Sequence, residues 1–220
     1  GRLTRLQEGN HSLRDALGRT IADLLRHSSE LGETDPDTCR DELTGLLTRK
    51  GLEAWLRRQW HSETQPVMPL SAVMVDLDSF GRVNQEYGCE LGDLVLRATA
   101  DFLREQAPEP AVVVRYAGQR FCLLLTETVA ESAVQVAEHV RQTLEKIRFT
   151  HQDDALQVTL SCGITEAKAD ETPASLLARA EETVQEATPC GGNRTFLSDG
   201  QNPAPVAPPQ IDVEPREIAV

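Results

Sequence analysis

Two aspartates one residue apart, Asp76 and Asp78, follow the short apolar run Ala72–Val75. Hard carboxylate oxygens of this kind hold magnesium together with phosphate groups. A second set of polar groups lies in the short connection Tyr116-Ala117-Gly118-Gln119-Arg120, between the apolar runs Val112–Arg115 and Phe121–Leu125. Two such runs with a short glycine-containing link read as a β-hairpin, with Gln119 and Arg120 at its tip. Asn84 and Asp93 offer an amide and a carboxylate, groups able to hydrogen-bond a polar ligand edge. Other chemistries lack their residues. The 5 cysteines, Cys39, Cys89, Cys122, Cys162 and Cys190, form no C-x-x-C pair, so zinc spacing is absent and a disulfide framework is not expected. No nucleophile elbow accompanies the histidines. The 22 basic residues against 35 acidic ones give a net charge of -13, which disfavours nucleic acid and anionic membranes as partners. No apolar run is long enough to span a bilayer.

The elements that must position these groups alternate in type. Leu3, Asn10, Leu17, Leu24 and Leu31 fall at one heptad position and Leu6, Leu13, Thr20 and His27 at the other. This predicts a helical stub over residues 1–32, either a short two-stranded coiled coil with Asn10 fixing register or an amphipathic helix packed on its own domain. A polar linker covers 33–40. Thr48–Trp60 reads as a helix, Ala72–Val75 as a strand, and the stretch carrying Leu91, Val95, Ala98 and Phe102 as a helix. The hairpin follows. Next come a helix with Ala133, Val136, Val140, Leu144 and Ile147 on one face and an alternating strand from Leu156 to Cys162. A last helix has Thr172 as cap and Pro173 in its first turn. A hairpin inside an α/β alternation predicts a mixed central β-sheet flanked by helices, the ferredoxin-like palm of nucleotidyl cyclases, preceded by an N-terminal helix. Residues 198–220 are Pro-rich, polar and acidic, and are expected to form a disordered tail.

Four segments, in order over residues 41–197, resemble the GGDEF domain of diguanylate cyclases. They are Asp41-Glu42-Leu43-Thr44-Gly45-Leu46; Asp76-Leu77-Asp78-Ser79-Phe80 with Asn84 and Gly92-Asp93; Arg115-Tyr116-Ala117-Gly118-Gln119-Arg120-Phe121; and Ala180–Arg194. The resemblance implies a bacterial, cytoplasmic protein of cyclic di-GMP signalling. It also implies Mg2+ with GTP as the ligands, Asp76 as a metal carboxylate, and Asn84 and Asp93 as contacts to the guanine base.

The departures from the family pattern bear on activity. The signature itself reads Ala117-Gly118-Gln119-Arg120-Phe121. The family's metal-binding Glu aligns with Arg120, and a guanidinium repels a magnesium ion rather than ligating it. The family's phosphate-contacting Lys aligns with Thr188, an Arg of its closing run with Gly192, a further Lys with Gly81 and a His with Cys89. The inhibitory product site expected before the hairpin is Pro108-Glu109-Pro110-Ala111 and holds neither of its functional residues, although Arg104 and Arg115 lie nearby. Asn84 also reads as a turn residue, and Asp93 as an acid favoured at a helix start. Because the family's phosphate-binding and metal-binding side chains are replaced here, these structural readings lead.

The expectation is a catalytically inactive, degenerate GGDEF module that needs no cofactor and acts through protein contacts, with a homodimer formed through the N-terminal helix. Arg120 is expected to bridge Asp76 and Asp78, set against a solvated surface arginine. The alternatives are a guanine-nucleotide sensor holding GTP and Mg2+ through Asn84, Asp93 and Asp76, and a weak residual cyclase in which Asp78 replaces the missing Glu.

Overall fold

Strand β2 (Leu70–Leu77) shows why a central sheet forms here. Its side chains alternate between two apolar surfaces, with Val73, Val75 and Leu77 in one buried cluster and Leu70, Ala72 and Met74 in another. A strand buried on both faces reads as a nearly continuous apolar run, and this one does up to Asp76 except for Ser71, whose buried hydroxyl donates to the Thr128 carbonyl at 2.8 Å. In the computed structural model the described residues are 39–60, 69–152, 154–169 and 171–220. The expected helical stub and most of the linker lie outside them. Asp41–Val220 forms one compact unit.

The described elements, in order, are β1 (Leu47–Thr48), α1 (Arg49–Trp60), β2, α2 (Phe80–Tyr87), α3 (Cys89–Gln106), β3 (Val112–Ala117), β4 (Arg120–Thr126), α4 (Ala130–Glu145), β5 (Ile147–His151), β6 (Asp154–Leu156), β7 (Leu160–Glu166), α5 (Pro173–Gln185), β8 (Thr195–Ser198), β9 (Pro203–Pro205) and β10 (Arg216–Ala219). A 7-stranded sheet runs β1-β3-β4-β2-β7-β8-β9, and a 3-stranded sheet runs β10-β5-β6. Within the larger sheet, β3-β4-β2-β7 is the strand order of a ferredoxin-like βαββαβ unit. Its inner pairs are antiparallel, while β1–β3 and β7–β8 are parallel. The mixed sheet expected from the sequence is therefore present.

Helices α3 and α4 cover one face through Val95, Leu103, Val140 and Leu144. Helices α1 and α5 cover the other through Leu52, Leu56, Leu177 and Val184. Phe121 is fully buried on the first face, and truncating a core Phe to Ala costs about 3–5 kcal/mol. Helix α5 starts as the sequence predicts, with Thr172 Oγ1 accepting from the Ser175 N–H and Pro173 in the first turn. It lies unusually close to β7. A Cβ on Gly163 would sit 2.3 Å from the Val184 nitrogen and 2.8 Å from the Ala180 carbonyl oxygen, so only glycine fits under the helix.

Three expectations need correction. The stretch from Leu156 to Cys162 is not one strand: Leu156 ends β6, Leu160 opens β7, and residues 157–159 between them belong to neither, because the two strands enter different sheets. Ile147, expected on the helix before it, starts strand β5 instead, because Lys146 at the helix end closes a turn onto the Thr143 carbonyl. The tail expected to be disordered is built into both sheets. Pro203 and Pro205 sit on the edge strand β9, and Pro215 sits just ahead of β10, positions where the missing N–H matters least. Ile218 and Val220 pack against the core, and this apolar alternation outweighs the Pro-rich composition.

Candidate functional site

Alternation along the strands decides what meets at the sheet end. Asp76 follows Ala72 and Met74 in parity, and Arg120 precedes Cys122 and Leu124, so both project on the face covered by α5. The antiparallel register pairs Asp76 directly with Arg120. Opposite charges at such cross-strand positions attract. Arg120 Nε donates to Asp76 Oδ2 at 2.7 Å, and Arg120 Nη1 donates to Glu181 Oε1 at 2.8 Å from α5. Gln119 Nε2 donates to the other Asp76 oxygen at 3.0 Å. Both Asp76 oxygens are thus engaged by Gln119 and Arg120, two of the three residues that depart from the GGDEF signature. The side chains of Arg120 and Asp76 are 26% and 19% exposed. Burial pulls the Arg120 guanidinium down, but hydrogen bonding to Asp76 and the charge of Glu181 outweigh it and hold its pKa above the usual arginine range.

The expected bridge from Arg120 to Asp78 is not among the described contacts. Asp78 faces other donors: Thr159 Oγ1 at 2.7 Å, Ser161 Oγ at 2.7 Å and the Asn193 N–H at 2.8 Å. It anchors the 191–193 turn to β7, and its oxygens are taken up in that work. The partner missed from the sequence is Glu181. Its signal was faint: an acid one residue after Ala180 in the last matching segment, on a helix far along the chain.

A groove of about 430 Å³ opens over the ion triad, lined by Asp76, Asp78, Gln119, Arg120, Ser161 and Thr188, among others. Among the described residues no group of His, Cys, Asp and Glu is arranged to hold a metal ion. Asp76 is the metal carboxylate that the resemblance implies, and its oxygens face a guanidinium and an amide. The donor set therefore does not fit magnesium without displacing Arg120.

Asn84 and Asp93 lie at the α2–α3 corner. The Asn84 side chain rests on Gly92, where a Cβ would come 1.9 Å from its Oδ1, so Gly92 makes room for it. Asp93 is exposed one residue further on. The other sequence landmarks are structural. Asp41 accepts from Thr44 and from Arg115 Nη1 at 2.8 Å, which ties the opening turn to β3. Burial raises the Asp41 carboxyl, and the hydrogen bonds from Arg115 and Thr44 outweigh that and lower it overall. Arg104 Nη2 donates to the Thr44 carbonyl at 3.0 Å. Both arginines near residues 108–111 thus hold the entry segment.

A second polar cluster supports the 191–195 turn from behind. Glu138 accepts from Arg141 Nε at 3.0 Å, from Arg141 Nη2 at 2.9 Å and from Thr195 Oγ1 at 2.5 Å, while Arg141 Nη1 donates to Asn193 Oδ1 at 2.7 Å. Burial raises the Glu138 carboxyl, and these bonds, Arg141 foremost, bring it below its usual value.

The ferredoxin-like sheet, with an acidic residue of β2 paired across the strands to an arginine of β4, defines a nucleotidyl-cyclase-type palm. A match to the family described as diguanylate cyclase, GGDEF domain, covers residues 38–194. The chain belongs to the GGDEF family. It is 33% identical over 172 residues to the response regulator PleD of Caulobacter vibrioides, covering 77% of this chain and 37% of that protein. It is 28% identical over 194 residues to the diguanylate cyclase VdcA of Vibrio cholerae, covering 87% of this chain and 56% of that one. The chain therefore spans only part of these relatives. Among solved structures, the diguanylate cyclase SiaD of Pseudomonas aeruginosa, in complex with its activator SiaC, aligns with TM-score 0.70 at 29% identity over 90% of this chain and 73% of that one. The coiled coil and GGDEF domain of DgcB from Caulobacter crescentus, in complex with c-di-GMP, shares the fold at TM-score 0.70 and 24% identity, over 85% of this chain and 100% of that one. No described helix is long and apolar enough to cross a membrane.

Proposed function

We propose that this chain is a non-catalytic GGDEF module that transmits a signal through protein contacts. One observation carries the reading: the Arg120 guanidinium is bonded to Asp76 at 2.7 Å, on the carboxylate the family uses for its metal. Joining two nucleotides through a 3′-hydroxyl attack needs metal ions to neutralise phosphate and activate the hydroxyl. Here a fixed organic cation bridges Asp76 and Glu181 instead and offsets one of their two charges. It offers no open coordination position and cannot give up its charge. Heptad spacing over residues 3–31 supports pairing through the N-terminal helix as the route of output. Activation of a relative through a bound protein is a precedent for contact-driven signalling in this fold.

A second reading, a guanine-nucleotide sensor, is favoured by the Gly92 cradle that sets Asn84 beside the exposed Asp93. Calorimetric titration with a non-hydrolysable GTP analogue and Mg2+, run beside an assay for cyclic di-GMP with Mg2+ or Mn2+, separates the readings. The contact module predicts neither binding at millimolar ligand nor product. Binding lost in Asp93→Ala without product supports the sensor. Product lost in Asp76→Ala overturns the non-catalytic reading.

A further inference from the structure

The family match ends at residue 194, yet the chain continues and folds back onto the domain. The Val206 N–H donates to the Thr195 carbonyl at 2.9 Å, and Gln142 Nε2 donates to the Pro209 carbonyl at 2.9 Å. Strand β10 then runs parallel to β5, from Arg216↔Ile147 to Ala219↔Thr150. The Arg216 N–H donates to the Lys146 carbonyl at 3.3 Å, and the Val220 N–H to the Thr150 carbonyl at 2.9 Å.

The attachment is shallow. Ile218 and Val220 are partly buried against the core, while Arg216, Glu217 and Ala219 are exposed. The Arg216–Glu105 ion pair is 53% and 56% exposed, so it contributes little. Between the two attachment points, residues 208–213 arch over a groove of about 710 Å³ against Arg141, Gln142, Glu145 and Lys146. The arch is therefore not packed down along its length. Pro208, Pro209 and Pro215 keep it extended, which reduces the entropy lost on docking.

We propose that residues 211–220 are a detachable intramolecular ligand. The β5 edge is a strand-addition site for an extended, parallel segment with apolar residues at alternate positions, and this segment fills it in cis. Main-chain bonds to the edge supply affinity, and the contacts of Ile218 and Val220 supply selectivity. Local opening follows buried apolar contact. By that measure β10 sits far below β2, whose side chains are nearly all buried. An open β5 presents an unpaired edge, the template that a partner's segment of the same pattern would complete. The proposal does not depend on the state of Asp76.

Hydrogen exchange on the full chain and on Ile218→Asp tests it. In the unaltered chain the Arg216 and Val220 amides should exchange at least about 100-fold faster than the β2 ladder. In I218D, protection should be lost over 211–220 and at the β5 amides that face β10, with the Val206 amide, the β2–β4–β7 ladder and the main thermal transition retained. That variant should bind a synthetic Ile211–Val220 peptide in trans, at least about tenfold more tightly than the peptide carrying the same Asp. Exchange of β10 at the β2 rate, global unfolding of I218D, or a folded I218D that ignores millimolar peptide would each overturn the proposal.

Discussion

Replacing Arg120 by glutamate should turn a site with its own counter-charge into a metal-hungry one. The Arg120–Asp76 contact is 2.7 Å long between partly buried groups. For charge centres about 4 Å apart at an effective dielectric near 20, the attraction is about 4 kcal/mol before solvent screening. Screening reduces this, since pairs with access to water retain only a fraction of it. The substitution also adds repulsion from Asp76 and from Glu181, which now contacts Arg120 at 2.8 Å. We expect R120E to lose about 2–4 kcal/mol without metal, or about 5–15 °C in melting temperature for a chain of this size. Millimolar Mn2+ should then raise its melting temperature, because a ligand at about 100 times its Kd adds about 2.7 kcal/mol. Thermal denaturation monitored by circular dichroism, with and without Mn2+, reads both effects, and Arg120→Ala should fall between the two. The unaltered chain should not respond to the ion. An R120E protein as stable as the original and equally indifferent to Mn2+ would refute the argument that Arg120 stands in for the metal.

Glu138→Gln removes the nearer counter-charge of the buried Arg141 and leaves Glu145 at 3.5 Å, so the loss should approach but not exceed the about 3–5 kcal/mol of a fully broken buried pair. The folded Glu138 carboxyl lies below its ordinary 4.5. Its contribution is therefore complete above the unfolded value and lost as pH falls through the folded one. Urea titrations below pH 4.5 should show the original and the E138Q protein converging. Gly163→Ala pushes a methyl into the α5 backbone and should destabilise by about 1–3 kcal/mol or more, visible as a lower denaturant midpoint.

How much of this was legible in the sequence varies by element. The hairpin could be read because two apolar runs bracket a short glycine-containing link; β3 starts where expected and runs on to Ala117, and β4 spans Arg120–Thr126. The Arg120–Asp76 contact followed from motif alignment, since both positions belong to segments with a fixed place in the family. Glu181 did not, because a helix side chain's neighbour across the sheet is set by packing depth, here by Gly163, and no local pattern records it. Asp78 does not join Asp76 as a partner of Arg120, contrary to expectation. Spacing by two puts both aspartates on one face only while the strand lasts, and β2 ends at Leu77. The tail departs from expectation for the opposite reason: its Pro-rich composition points to disorder, while the alternation of Ile218 and Val220 points to a strand.

The close seat of α5 on Gly163 has a mechanical consequence. Asp76 rides on β2, Arg120 on β4 and Glu181 on α5, and those three carriers are joined by two strand ladders and a helix with no clearance beneath it. The triad is then a rivet through one stiff plate, not a hinge. On the proposed reading of a contact-driven module, the three carriers move together, and a partner would read the position of the domain instead of a rearrangement inside it.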